Sequence, residues 1–157
     1  MANQALLVTV ATVLSLTLAG CWNSGHHPAA TAESSDIVGV WTAPAAAWDE
    51  QMVTFSEDGT FRAAAVSGDS FCGIFGSGEK SGAVDGGGEW TLVDGTRHPD
   101  LPSSQLSVHF STDDPARGTG CTSQLFVEEL GGELYLFTWI GDPDNDETVT
   151  FTKDASR

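Results

Sequence analysis

Apolar and polar residues alternate along several short stretches of this chain. Between Leu106 and Ser111 every second residue is apolar, and the same period recurs in Glu89–Leu92 and in Thr148–Lys153. A period of two places the apolar side chains on one face of an extended strand. From residue 36 onward no stretch keeps the spacing of an amphipathic helix. The pattern therefore predicts an all-β domain.

Short turns separate the predicted strands. Ser56–Gly59 ends in a residue that tolerates the left-handed backbone, and Gly131–Gly132 offers two such residues, so each turn joins a hairpin. The prediction comprises eight strands and a ninth candidate at Ser70–Phe75. The eight are Ile37–Trp41, Val53–Phe55, Thr60–Val66, Glu89–Leu92, Leu106–Ser111, Ser123–Leu130, Glu133–Ile140 and Thr148–Lys153.

The number and order of these strands favour one architecture. An antiparallel up-and-down meander of about eight strands can close into a barrel and so lose its exposed edges. A barrel of that size is either filled by side chains or holds one small ligand. The fold class that we predict is thus an all-β, antiparallel up-and-down barrel.

The predicted strand Glu133–Ile140 is apolar on both of its faces. Tyr135, Phe137 and Trp139 share one face, whereas leucines and Ile140 share the other. Such a strand is covered on both sides, or it exposes an adhesive patch. Either the N-terminal tether or the glycine-rich stretch 73–88, which we predict to be a mobile loop, covers this strand, or the strand is a binding surface.

The N-terminus has the character of an export signal. The apolar run Ala5–Leu18 is too short for the roughly 20 helical residues that cross a bilayer, but it suits a secretion signal. Leu18-Ala19-Gly20-Cys21 follows directly and resembles the lipobox of bacterial lipoproteins. That resemblance implies cleavage after Gly20 and lipidation of Cys21. We predict a signal peptide over 1–20, a lipidated N-terminus and flexible tether over 21–35, and a β-barrel domain over 36–157.

A second resemblance concerns the barrel. Gly39-Val40-Trp41 resembles the G-x-W motif of lipocalin-like proteins. This resemblance implies that Trp41 closes one end of the barrel and that a basic residue of a late strand, here Lys153, packs across it. The stretch from Asp36 to Lys153 is also similar to small secreted lipoproteins of GC-rich Gram-positive bacteria.

The charge of the chain excludes one class of partner. The chain has 157 residues, with 22 Asp and Glu against 6 Lys and Arg, so its formal net charge is −16. Phosphate backbones would be repelled, and nucleic-acid binding is therefore excluded. The same charge attracts cationic proteins and speeds their association at low salt.

Three cysteines occur in the chain. With Cys21 assigned to lipid, Cys72 and Cys121 remain, and two thiols in an exported protein favour one disulfide. Closing a loop of about 50 residues would stabilise the fold by roughly 4 kcal/mol in the chain-entropy model. A reactive cysteine is the alternative.

The sequence contains no complete motif with a specific chemistry. Gly73–Ser81 departs from a phosphate loop because Glu79 stands where lysine is required. Asp142–Glu147 begins like an EF-hand loop, but its sixth position, Glu147, should be glycine. The pair His26-His27 has no other metal ligand at a suitable spacing, and we interpret it as part of the flexible tether. We predict no catalytic residues, no metal site and no cofactor.

These observations predict a function for the chain. The first hypothesis is a monomeric, non-enzymatic lipoprotein, anchored to the outer face of the cytoplasmic membrane, whose barrel binds a small apolar ligand. The alternative is an acidic protein-interaction or inhibitor module with a filled barrel, and an envelope hydrolase is the least favoured. The residues assigned to ligand binding are aromatic, and we expect Trp41, Trp90, Phe137 and Trp139 to point into the barrel. The full set is Trp41, Trp90, Tyr135, Phe137 and Trp139.

Overall fold

The computed structural model describes residues 29–44, 50–68, 82–98, 101–113, 120–139 and 148–157. The predicted signal peptide, Cys21, Cys72, the ninth strand candidate and Asp142–Glu147 lie outside these ranges. Predictions that concern them are not tested by the fold.

Eight antiparallel strands form one closed up-and-down barrel in which neighbours along the chain are neighbours in space, and β8 returns to β1. The predicted architecture is therefore confirmed. The strands are β1 Gly39–Ala43, β2 Gln51–Phe55, β3 Thr60–Ser67, β4 Ala83–His98, β5 Leu101–Thr112, β6 Cys121–Leu130, β7 Glu133–Trp139 and β8 Thr148–Lys153.

The predicted hairpin turns are present. Gly59 has φ +81° and closes the turn between β2 and β3, and Asp58 Oδ1 accepts hydrogen bonds from the amide and hydroxyl of Thr60. Gly131 and Gly132, with φ +66° and +88°, close the turn between β6 and β7. These backbone angles suit glycine because a Cβ atom disfavours them.

The interior of the described barrel is filled by aromatic and aliphatic side chains. Each of the largest is less than 2% exposed, so almost none of its surface can be touched by a water molecule. A cavity beside these groups would leave part of their surface accessible. The side chains are Trp41, Phe55, Phe61, Leu106, Phe110, Leu125, Leu136 and Phe151.

Glycines in β4 make room for two of the interior rings. Phe61 and Phe110 stack with their centroids 6.3 Å apart, and they lie against Gly88 and Gly86, where a Cβ would meet ring or backbone atoms. The prediction that the glycine-rich stretch 73–88 is a mobile loop is wrong for Ala83–Gly88, which is part of β4. Alternation missed this strand because glycine has no side chain to alternate.

The folded part begins before residue 36. Ala30 lies between β5 and β6, since its amide donates to Val127 O (3.1 Å) and its carbonyl accepts from Ser104 N (2.8 Å). The short helix α1, Ser34–Ile37, follows and buries Ile37. The predicted tether therefore ends earlier than Ser35, and Ile37 belongs to this helix and not to the first strand.

Within the described ranges, no helix has the length and apolar character needed to span a bilayer.

The packing around β4 predicts a large effect of a small substitution. In Gly88→Ala the new methyl group would overlap the carbonyl of His109 in β5, and it should lower the free energy of unfolding by at least about 2 kcal/mol. Thr91→Ala, on the exposed face of the same strand, should change it by less than about 0.5 kcal/mol. Urea unfolding measures both, and equal stabilities would contradict the packing described here.

Candidate functional site

The two ends of the barrel differ. Because consecutive strands alternate in direction, the turns after β2 and β6 and the helix α1 lie at one end, which we call the closed end. At the opposite end, the rim, the odd-numbered strands finish and the even-numbered strands begin. The cleft described below lies at the closed end.

Trp41 seals the closed end. Its indole Nε1 donates to Ile37 O in α1 at 2.7 Å, and the Trp41 side chain is 0% exposed. Lys153 Nζ lies 5.7 Å from the centre of the Trp41 ring and donates to Asp36 O at 2.6 Å. The predicted contact between Lys153 and Trp41 is confirmed.

The geometry also explains the glycine two residues before Trp41. Gly39 has φ +128°, and a Cβ built there would lie 3.2 Å from Lys153 Cε. The aliphatic part of Lys153 thus crosses directly over a residue without a side chain. Both the backbone angle and the close approach favour glycine.

A cleft of about 430 Å³ opens at the closed end, beside α1. Trp90 is 7% exposed and forms part of its floor. The ring is fixed because Nε1 donates to Ser56 O at 3.1 Å. The lining residues are Ser34, Ser35, Val38, Glu57, Gly59, Trp90, Thr91 and Leu92.

The closed end is acidic in the part of the chain that the structure describes. Exposed carboxylates surround α1 and the neighbouring turns. The described cations at this end are Lys153 and Arg157, and Arg157 forms an ion pair with Asp154. The exposed carboxylates are Glu33, Asp36, Glu57, Asp58, Asp94, Glu129 and Glu133.

Local hydrogen bonds keep some of these carboxylates charged. The Thr60 hydroxyl and then the Thr60 amide donate to Asp58, and they hold the pKa of that carboxyl below its ordinary value. Ser156 lowers the pKa of Asp154 in the same way. Both groups stay ionised to lower pH than free carboxyls do.

The cleft combines two features that suit a cation with an apolar stem. The Trp90 ring and Leu92 offer apolar surface, and Glu57 supplies a charge at the margin. Lysine and arginine side chains bury their methylenes against such surface and direct the charged group to a carboxylate. In the described ranges, no group of three or more His, Cys, Asp or Glu is placed to hold a metal ion. That the protein is not an enzyme stays a prediction.

The aromatic residues assigned to a ligand do not lie together. Trp41 and Trp90 are in the interior, whereas the expectation that Phe137 and Trp139 point inward is wrong. Leu136 lies opposite Val127 and Phe151, which belong to the core. Leu136 therefore faces inward, and Tyr135, Phe137 and Trp139, which alternate with it along β7, face outward.

The outward side chains of β6 and β7 form an aromatic cluster. Phe126 and Phe137 stack at 5.2 Å between centroids, and Trp139 meets them edge-on at 4.8 and 5.1 Å. Glu128 and Tyr135 are opposite each other on the same face, toward the closed end. We call these five residues the outer patch.

The remaining candidates are separate from the cleft. Cys121 is half-buried on β6, opposite Phe110, and its pairing with Cys72 stays a prediction because Cys72 lies outside the described ranges. His109 is exposed on β5, with its Nδ1 3.4 Å from the Thr122 hydroxyl.

The fold and the closed end define a class of protein: a closed eight-stranded antiparallel barrel sealed at one end by a tryptophan, a lysine and a short helix. No protein-family model, curated protein or solved structure shows significant similarity to this chain.

The seal of the closed end predicts a graded effect at one position. Lys153→Ala removes a charged hydrogen bond and a cation–π contact, and it should lower the free energy of unfolding by about 1–2 kcal/mol. Lys153→Arg keeps a cation near Trp41 and should recover part of that loss. Arg157→Ala, whose ion pair is exposed, is the control and should cost less than either; denaturant unfolding compares the three.

Proposed function

We propose that the protein is a membrane-anchored, extracytoplasmic interaction module that binds a cationic partner at the acidic closed end of a filled barrel. The observation that carries this proposal is the pairing of a Trp90-lined cleft with the exposed carboxylate of Glu57. The partner chemistry that fits is a lysine- or arginine-rich segment of a protein or peptide.

The filled interior supports a surface function over a ligand inside the barrel. Trp41, Phe61 and Phe110 occupy the space that an apolar ligand would need. Displacing them would require repacking a core of near-crystalline density, which costs several kcal/mol. The small apolar ligand was the first expectation from the sequence, and the packing favours the alternative.

Electrostatics support a cationic partner. The formal net charge of −16 draws cations from a distance, and exposed carboxylates of α1 and of the β2–β3 turn belong to the elements that line the cleft. At physiological ionic strength the field decays over about 8 Å. Only the carboxylates close to the cleft therefore contribute to the bound state, while the total charge acts on the rate of encounter.

The proposed anchor rests on the four residues that end in Cys21. Fatty chains on that cysteine would hold the protein at the outer face of the cytoplasmic membrane, because each buried methylene contributes about 0.8 kcal/mol. Ala30 is already bound between β5 and β6. The linker between the anchor and the barrel is thus only the stretch from Trp22 to Pro28.

The cationic-partner proposal predicts a local charge effect. Glu57→Gln should weaken the binding of an oligoarginine peptide about two- to fivefold at low salt, because it removes a carboxylate from the cleft. Glu50→Gln removes one exposed charge from the rim side and is the matched control. Calorimetric titration at low salt and at about 0.5 M salt measures both affinities, and the difference should shrink at high salt.

An equal loss in the two variants would overturn the proposed site, since it would mean that only the net charge matters. A small molecule retained by the unaltered protein in native mass spectrometry would overturn the filled-barrel function and restore the ligand hypothesis.

The anchor proposal has its own test. Cells that produce the full-length chain should incorporate radiolabelled palmitate into it, and Cys21→Ser should abolish the label. Cys121→Ser, a change to a cysteine in the barrel, should leave the label in place. Absence of label from the unaltered protein would refute the lipidation.

A further inference from the structure

A second cleft lies at the closed end, and α1 separates it from the cleft beside Trp90, which we now call the first cleft. The volume of the second cleft is about 360 Å³, comparable with the 430 Å³ of the first. It opens between α1 and the strands β7 and β8. Its lining residues are Ser35, Asp36, Glu133, Leu134, Tyr135, Thr152, Lys153 and Ala155.

The order of the strands fixes the positions of the two clefts. The strand β1 follows α1 along the chain and lies between β2 and β8 in the barrel. The first cleft is built from the β2–β3 turn and β4, whereas the second is built from β7, β8 and Ala155 just after β8. The two clefts therefore lie on opposite sides of α1, and Ser35 lines both of them.

The second cleft repeats the chemistry of the first. Tyr135 and Leu134 are half-buried and offer apolar surface, as Trp90 does in the first cleft. The hydroxyl of Tyr135 donates to Glu133 Oε2 at 3.3 Å, so the Glu133 carboxylate lies beside the phenol. A lysine or arginine that lays its methylenes along Tyr135 can direct its charged group to Glu133.

The lysine of the second cleft does not cancel its negative charge. Lys153 Nζ is directed to Asp36 O and lies near the Trp41 ring, so its charge is held over the end of the barrel. The carboxylate of Asp36 accepts the amide of Glu33 at 2.8 Å and so belongs to the cap of α1. Two carboxylates thus line this cleft against one lysine, and Glu133 is the one that α1 does not hold.

The width of α1 sets the distance between two cations bound in the two clefts. A helical turn with its side chains is about 10 Å across. In a polyproline II segment, residues i and i+3 point to the same side and are about 9 Å apart, because there are three residues per turn. In a β-strand, residues that share a side are about 7 or 13 Å apart. The polyproline II spacing therefore matches the two clefts best.

We propose that the cationic partner binds through an extended segment with two basic side chains three positions apart, one in each cleft, whose backbone crosses α1 at Ser35. Such a partner refines the proposed function, on which this assignment rests, because a single cation would occupy only one cleft. The protein then recognises the spacing of the basic residues as well as their number. Prolines between the two basic residues favour the conformation that this spacing requires.

Two capped peptides of identical composition test the spacing. Acetyl-Arg-Pro-Pro-Arg-amide presents its cations at i and i+3, whereas acetyl-Arg-Arg-Pro-Pro-amide presents them on neighbouring residues that point in different directions. At low salt the first peptide should bind about three- to tenfold more tightly, because the second cleft adds an exposed ion pair and a cation–π contact. Calorimetric titration of the protein with each peptide measures the ratio of the two affinities.

The same titrations separate this assignment from the proposed function. Equal affinities of the two peptides, both weakened by Glu57→Gln, would overturn the two-cleft assignment and leave the function at the first cleft in place. Equal affinities that Glu57→Gln does not change would overturn both.

A substitution in the second cleft should remove the preference between the peptides. In Glu133→Gln the ratio of affinities should fall below about twofold, because only the first cleft still holds a cation strongly. Glu129→Gln removes an exposed carboxylate that lies at the closed end but lines neither cleft. This matched control should weaken both peptides alike and keep the ratio. An unchanged ratio in Glu133→Gln, or an equal fall of the ratio in both variants, would contradict the assignment.

A measurement on the unaltered protein follows both clefts at once. During titration with acetyl-Arg-Pro-Pro-Arg-amide, the amide NMR signals of Leu92 and Leu134, one in each cleft, should shift with a common midpoint. The signal of Thr122, exposed on β6 near the rim, should stay in place. A shift of Leu92 alone would refute the second contact, and no shift of either leucine would refute the proposed function as well.

Discussion

The structure depends on the contact between the first and last strands. Trp41 and Lys153 are directly opposite each other where β1 meets β8, and the amide of Asp154 extends the junction to Val40 O at 2.8 Å. If this seam opened, the sheet would regain two free edges and the Trp41 ring would meet water. Lys153 and Trp41 lie at the junction of the first and last strands, and both donate hydrogen bonds to carbonyls of α1. The same two side chains therefore stabilise the closed sheet and cover one end of the barrel.

The seal formed by Trp41, Lys153 and α1 also positions the cleft at the closed end. Sealing one end brings α1 against the β2–β3 turn, and the cleft beside Trp90 lies between them. Among the described residues, the large interior rings are almost fully buried and leave no comparable space beside them. A barrel that is filled in this way acts as a rigid support, and the recognition that we propose takes place on its surface, at the closed end.

The outward face of β6 and β7 is also partly apolar. A strand that is apolar on both sides needs two layers of cover, and β7 has the core on one side and the outer patch on the other. Burial of Glu128 in that patch is costly for a carboxylate unless other groups compensate for the lost water.

The sequence by itself determined the strands, because period-two alternation and the glycines of two tight turns are local signals. It also indicated the Gly39–Trp41 motif and its lysine partner. Which face of β7 is internal, the strand character of Ala83–Gly88 and the assembly of Glu57 with Trp90 were decided by the tertiary structure. Those features depend on cross-strand register and on space between distant rings, and neither quantity is present in the local order of residues.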